Sequence, residues 1–197
     1  MSAKKERNTK GKIVSAAWQL FYKQGYEATT VEEIIEESGT SRGSFYHYFA
    51  GKDALLGTLS YLFDEEYQRL MQQPLEQMDA FDALMYLNRE VFALIENTVS
   101  LDLLAQMYST QLITKGEKHL LDRSRTYYRL LREICARGQE RGELRTDKRT
   151  NEIVKAYALC ERALLYDWCI CNGEYSLTGY AMSMLPMMMG DFRAEKK

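Results

Sequence analysis

The chain has 197 residues and a mass of 22.9 kDa, 46% of it apolar and 27% charged, which leaves room for one domain or two small ones and excludes a disordered or collagen-like polymer. Two prolines and 12 glycines fit poorly with an all-β protein of many tight turns, and 2 histidines beside 14 tyrosines and 10 methionines argue for an aromatic, adaptable interior rather than a histidine-rich metal enzyme. The net charge of −2 is unevenly spread: residues 1–52 hold 8 basic and 6 acidic side chains and the remainder 18 and 22, and a basic start on an acidic body points towards nucleic acid.

Apolar residues recur at helical spacing along nearly the whole chain. Lys4, Lys5, Arg7, Lys10 and Lys12, opposed only by Glu6, form a positive arm. Ile13, Ala16, Ala17, Leu20 and Phe21 then make one helical stripe, stopped by Gly25 in a left-handed conformation. Thr30-Val31-Glu32-Glu33 has the form of a capping box and starts a second helix, with Ile34 and Ile35 inward, the glutamates outward and Gly39 as its end. Ser41 caps a third, very short helix carrying Phe45 and Tyr46. A long helix is predicted from about Lys52 towards Gln73, with Leu55, Leu56, Leu59, Leu62, Phe63, Tyr67 and Leu70 inward. Beyond Pro74, helices are predicted over 79–97, 101–114, 117–141, 148–172 and 176–192, punctuated by Gly116, Gly142 and Gly173. The reading is an all-α chain of about nine helices whose domain border lies inside the helix 52–73, giving domains 1–52 and 53–197.

Cys135, Cys160, Cys169 and Cys171 stand in apolar, helix-like stretches with no secretory leader ahead of them, and are expected as buried thiols. Cys169 and Cys171 diverge on a helix and have no histidine nearby, so no metal is expected there. No apolar run approaches the roughly 18 residues of a membrane span, and the methionine-rich stretch 182–189 is short and holds Pro186. A cytoplasmic protein without cofactor is expected, nucleoid-associated when bound to DNA.

Two short helices split by Ser38-Gly39-Thr40-Ser41 have the proportions of a helix-turn-helix over about 30–48. In that device the second helix enters the major groove, so it should be polar on one side and anchored on the other. Ser41, Arg42, Gly43, Ser44 and His47 offer small or basic groups, while Phe45 and Phe49 can anchor.

The run from Ile13, Ala16-Ala17 and Leu20-Phe21 through Gly25-Tyr26, Thr29-Thr30-Val31, Ile34 and Ser38-Gly39-Thr40-Ser41 to Gly43-Ser44-Phe45-Tyr46-His47-Tyr48-Phe49 and Lys52-Asp53-Ala54-Leu55 resembles the N-terminal DNA-binding domain of the TetR family of one-component regulators. The likeness covers about residues 10–56. A looser one runs from Leu165-Tyr166-Asp167-Trp168-Cys169 to Gly173 and Leu177. Ile35 replaces a usual Ala and Thr40 a usual Val or Ile, which bears on how the two short helices pack. The resemblance implies phosphate contacts from Thr30, Tyr46, Tyr48 and Lys52, with Thr30 also a plain helix cap. Base reading falls to Thr40, Ser41, Arg42, Ser44 and His47, Arg42 being suited either to a guanine edge or to a phosphate. Gly43 lets the backbone approach the duplex, and the positive arm 4–12 lies along the minor groove or adjacent phosphates.

The resemblance also makes the last two helices a four-helix dimer interface. Independently, helix 148–172 is apolar nearly all round, and such a helix must be buried on every side. Leu164, Trp168, Met184, Leu185 and Met188 are the candidate dimer contacts, and a two-fold dimer implies a palindromic operator in double-stranded DNA. Glu161-Arg162 inside that helix call for a pairing across the dimer, within the subunit, or with a ligand. Tyr67, Met107, Tyr108, Tyr127, Tyr128, Tyr157 and Glu161 are candidates to line a cavity for an unidentified small-molecule effector, or to be ordinary core. His47 and His119 lie in different segments and no glycine-rich phosphate loop is present, so catalysis is not expected. The function read from the sequence is a repressor released from its operator by an effector. Its rival is a DNA-bound scaffold that recruits a protein without small-molecule release.

Overall fold

The computed structural model describes residues 2–113 and 118–194, and within them all side chains but those of residues 2–8, Tyr61 and Leu62. Ten α-helices and no strand occur among the described residues: α1 (Ser2–Gln24), α2 (Val31–Ser38), α3 (Arg42–Tyr48), α4 (Lys52–Leu56), α5 (Leu59–Leu70), α6 (Ala80–Thr98), α7 (Leu101–Ile113), α8 (Thr126–Glu140), α9 (Thr150–Ile170) and α10 (Leu177–Met189). Three 3-10 turns complete the list at Leu75–Gln77, His119–Leu121 and Gly190–Phe192. No helix among the described residues is long and apolar enough to cross a membrane.

The helix expected over 52–73 is two helices. The apolar stripe continues through the break, but Thr58 and Ser60 turn their hydroxyls back onto the carbonyls of Leu55 and Gly57, and Trp18 Nε1 donates to Thr58 Oγ1 at 2.8 Å. Such side chain–backbone bonds compete with the helix ladder. Gly57 sits at the joint beneath the His119 ring, where an added Cβ would lie 2.3 Å from imidazole Cδ2. The predicted helix 117–141 begins only at Thr126, after the 3-10 turn, while Gly116 lies outside the described residues. The positive arm is no separate arm but the first part of α1, with Lys10 Nζ 5.8 Å from the Phe49 ring centroid.

The chain packs as two compact units, residues 1–60 with 100–120, and residues 61–99 with 121–197. In the first, α1, α2 and α3 close over Ile13, Ala17, Phe21, Ile34, Phe45 and Phe49, all fully or almost fully buried, and α7 packs on α4 through Leu103, Leu104 and Met107. In the second, α6 packs against α8 and α10, and α9 against α8 and α10, around Leu84, Leu87, Phe92, Ile95, Leu131, Ile134, Ile153, Tyr157 and Leu185. Each such aliphatic or aromatic side chain contributes roughly 1.5–3 kcal/mol by leaving water. A nearly buried ion pair ties α5 to the start of α8: Arg125 Nε and Nη2 donate to Asp64 at 3.0 and 3.1 Å, and Tyr127 N donates to Asp64 Oδ1 at 3.4 Å.

Of the four thiols only Cys135 is buried, its pKa pushed up to about 12 by desolvation. Cys160, Cys169 and Cys171 are half-buried, which corrects the expectation of four buried thiols.

Candidate nucleic-acid interface

The turn between α2 and α3 is built by local hydrogen bonding. Thr30 caps α2 in a full box: Glu33 N donates to Thr30 Oγ1 at 3.2 Å, and Thr30 N donates to Glu33 Oε2 at 2.7 Å. The Thr30 donors hold the Glu33 carboxyl below its ordinary pKa. At the other end Gly39 takes φ 60°, a left-handed conformation open to glycine without a Cβ clash, and Gly39 N and Thr40 N donate to the carbonyls of Glu36 and Ile35. The Thr40 hydroxyl lies 2.8 Å from that of Ser38, so the polar residue at this position is satisfied within the turn. Ser41 then caps α3, accepting from Ser44 N at 3.1 Å.

Phe45 (0% exposed) and Phe49 (5%) anchor α3, their ring centroids 6.0 Å apart. The other side of the helix is open. Ser41, Arg42, Gly43, Tyr46 and His47 are exposed, and Ser44 and Tyr48 half-buried. A Cβ added at Gly43 would meet nothing nearer than Ser41 Oγ at 3.9 Å. The fold therefore has no internal need of glycine there. Gly43→Ala is expected to raise stability by about 0.5–1 kcal/mol through helix propensity, while weakening specific DNA binding by on the order of tenfold. Urea unfolding and fluorescence anisotropy on the same protein check the two halves of this prediction.

Lys52, Thr30 and Arg42, like Thr40, Ser41 and Ser44, are engaged within the protein. Lys52 Nζ donates to the carbonyls of Tyr26 (2.8 Å) and Glu27 (3.3 Å) and lies 4.3 Å from the Tyr26 ring centroid. Its position at the start of α4, unfavourable for a cation, is thus offset from the other side by the carbonyls that follow α1. Thr30 serves its cap. Arg42 Nη1 donates to Glu32 Oε1 at 3.0 Å, with its guanidinium 5.6 Å from the Tyr46 ring centroid. Glu32 is a residue the sequence reading passed over as one of several outward glutamates. The same unit contains a cavity of about 350 Å³ between α4 and α7, bordered by Asp53, Gly57, Gln111 and His119, which no sequence signal marked.

The candidate effector residues are divided between the two units. Met107 and Tyr108 lie on α7 in the first unit, and Tyr67, Tyr127, Tyr128, Tyr157 and Glu161 in the second. The latter group is a buried polar centre: Tyr127 packs on Tyr67 and Tyr128 with centroids 5.1 and 4.8 Å apart, and its hydroxyl donates to Glu161 Oε2 at 2.7 Å. Asn88 Nδ2, which the sequence reading missed, donates to Glu161 Oε1 at 2.9 Å, and the Tyr157 hydroxyl donates to the Leu84 carbonyl at 2.8 Å. Asn88 Oδ1 has no hydrogen-bond partner among the described residues. Burial drives the Glu161 pKa up, against the hydrogen bonds from Asn88 and Tyr127 that lower it. Glu161 is 5% exposed and makes no ion pair among the described residues, while Arg162 Nη1 lies 3.4 Å from the Tyr128 hydroxyl.

Of the candidate dimer residues, Leu164 (5% exposed), Trp168 (6%) and Leu185 (1%) belong to the subunit's own core, Met184 is half-buried, and Met188 is exposed. The uncovered apolar surface of α9 and α10 is instead Leu159, Tyr166, Ile170, Tyr180, Met182, Met187 and Met188.

Comparison with known proteins fits this geometry. Residues 13–59, from α1 to the start of α5, match the bacterial regulatory proteins of the tetR family. An uncharacterized helix-turn-helix transcriptional regulator of Lactococcus lactis is 50% identical over 46 residues, 23% of this chain and 24% of that protein. YxaF of Bacillus subtilis, another such regulator, is 32% identical over 96 residues, 48% of this chain and 50% of its own. The chain thus spans from a quarter to a half of the length of these relatives. FadR of Thermus thermophilus, a TetR-family transcriptional repressor solved with lauroyl-CoA, shares the fold over 95% of this chain and 96% of its own, with a TM-score of 0.75 at 23% identity. The capped α2 and the anchored, outward-facing α3 both lie within residues 13–59, so this segment carries the helix-turn-helix of the tetR-family match.

Proposed function

We propose that the protein is a homodimeric repressor that holds a palindromic operator through α2 and α3 and lets it go when a small molecule binds in the helical body, residues 1–52 forming the DNA-binding domain and 53–197 the effector and dimerisation domain. The observation that carries this reading is α3 itself: a seven-residue helix with Phe45 and Phe49 buried beneath it and Arg42, Gly43, Tyr46 and His47 open to a partner. Thr30, Thr40, Ser41, Ser44, Tyr48 and Lys52 would complete the contact, Thr30 and Lys52 by exchanging internal partners for phosphate oxygens. The exposed apolar residues of α9 and α10 supply an apolar face of the kind a two-fold pair covers. Such a dimer sets its two recognition helices about one DNA turn, roughly 34 Å, apart.

The effector part rests on the buried Glu161 centre, with its unpartnered Asn88 oxygen, and on the shared fold with FadR, whose structure holds an acyl-CoA. The test is recovery of bound fragments from sheared chromosomal DNA of the source organism by the purified protein, at two salt concentrations. A few palindromic sites beside one locus support the local repressor, and the neighbouring genes nominate effectors to add. Dozens of dispersed sites would replace it with the scaffold.

A further inference from the structure

Glu32 and Arg42 lie ten residues apart on different helices and meet on the open side of α3, with the Arg42 guanidinium between the Glu32 carboxylate (3.0 Å) and the Tyr46 ring (5.6 Å). Their side chains are 65% and 67% exposed. An ion pair so wet contributes about 0–1 kcal/mol to stability, so holding the fold together does not account for it. On a face that is to meet polyphosphate, a carboxylate also repels the ligand and slows encounter. The consequence of the pair is for Arg42. A free arginine on such a face goes to the nearest phosphate, which carries no sequence information. With Nη1 bound to Glu32, part of the guanidinium charge is offset and its position is biased by the carboxylate, and at 67% exposed the side chain remains open to a partner.

We infer that Glu32 is the specificity-determining positioning residue of the DNA surface, holding Arg42 back from phosphates and aimed at a base edge. This rests on the DNA-binding reading of α3 and settles which of its two suitable roles Arg42 takes. Glu32 does not itself read the base; it acts through Arg42. Loss of Glu32 therefore strengthens binding to any duplex and weakens discrimination, the opposite of what loss of a contact residue does.

The experiment measures binding of wild type, E32Q, R42Q and E32Q/R42Q, as full-length protein, to a duplex recovered from chromosomal DNA and to a scrambled duplex of the same composition, across a salt series. Base preference is then scored by selection from randomised duplexes. E32Q is expected to bind the scrambled duplex several-fold more tightly, with a salt slope steeper by about one phosphate contact, and to lose roughly tenfold in preference at one base pair. In the R42Q background the same change should leave base preference unaltered. An E32Q protein with unchanged discrimination, or one whose preference shifts equally with and without Arg42, overturns the inference while the DNA-binding reading stands. A wild type that does not tell the two duplexes apart overturns both. Both side chains are exposed, so unfolding midpoints should agree among all four proteins.

Discussion

Phe45→Ala is expected to abolish sequence-specific DNA binding and to cost about 3–5 kcal/mol of stability. Phe45 is fully buried, with its ring 5.3 Å from that of Tyr46 and 6.0 Å from that of Phe49, and it is the main apolar anchor of a helix seven residues long. A helix of two turns has no standing without tertiary packing, since isolated helices below about 12–15 residues are marginal in water. Removing the ring takes away what fixes α3, and Arg42, Gly43 and His47 lose their common frame. Phe45→Leu, which keeps apolar volume, should retain most stability and a measurable operator affinity. Thermal unfolding and anisotropy on the same preparations separate the two variants. Equal loss of DNA binding in both would mean that the ring itself, rather than the volume it fills, is required.

The second large effect falls on Glu161. Burial raises its pKa, so in the folded protein the protonated acid is favoured relative to the unfolded chain. Its contribution to stability is then complete below the ordinary carboxylate range of about 4.3 and is lost as pH rises through the folded value. Glu161→Gln keeps an acceptor for Asn88 Nδ2 and a group able to bond the Tyr127 hydroxyl, but cannot ionise. Its unfolding free energy should therefore lack this downward slope, leaving the variant ahead of the parent at high pH. Glu161→Ala strands both Asn88 and Tyr127 in the core and should cost about 2–5 kcal/mol at low pH, less as pH rises and the parent loses its own contribution. Urea unfolding at pH 4, 6 and 8 reads all three proteins. A parent slope identical to that of the glutamine variant would remove Glu161 as the titrating group.

Most of the fold was legible because the signals are local. The capping box at Thr30-Glu33, the glycine at position 39 and the Ser41 cap each state their own structure in three or four residues, and the two phenylalanines of α3 are buried as the spacing predicts. What escaped are consequences of contacts distant in sequence. The break between α4 and α5 is invisible in the stripe from Leu55 to Leu70, since it depends on Trp18 meeting Thr58 and on His119 covering Gly57. Helix 148–172 reads as apolar all round, but periodicity cannot say which of those sides the subunit keeps. Leu164 and Trp168 went inward and Leu159, Tyr166 and Ile170 outward. Lys52 and Glu32 show the same limit at the candidate interface. Charge and position mark Lys52 for phosphate, yet carbonyls 25 and 26 residues away already hold it, and nothing on α2 alone singles out Glu32 among four glutamates.

Sequence reading by the open side of α3 is the expectation on which the proposed function turns. Its most direct test is the ratio of affinities of the wild-type protein for a recovered palindromic site and for a scrambled duplex at physiological salt. A ratio of at least about 10³ is expected, as specific regulators show. A ratio near one, with both affinities falling equally steeply with salt, would contradict it and leave only a cationic surface that holds phosphates.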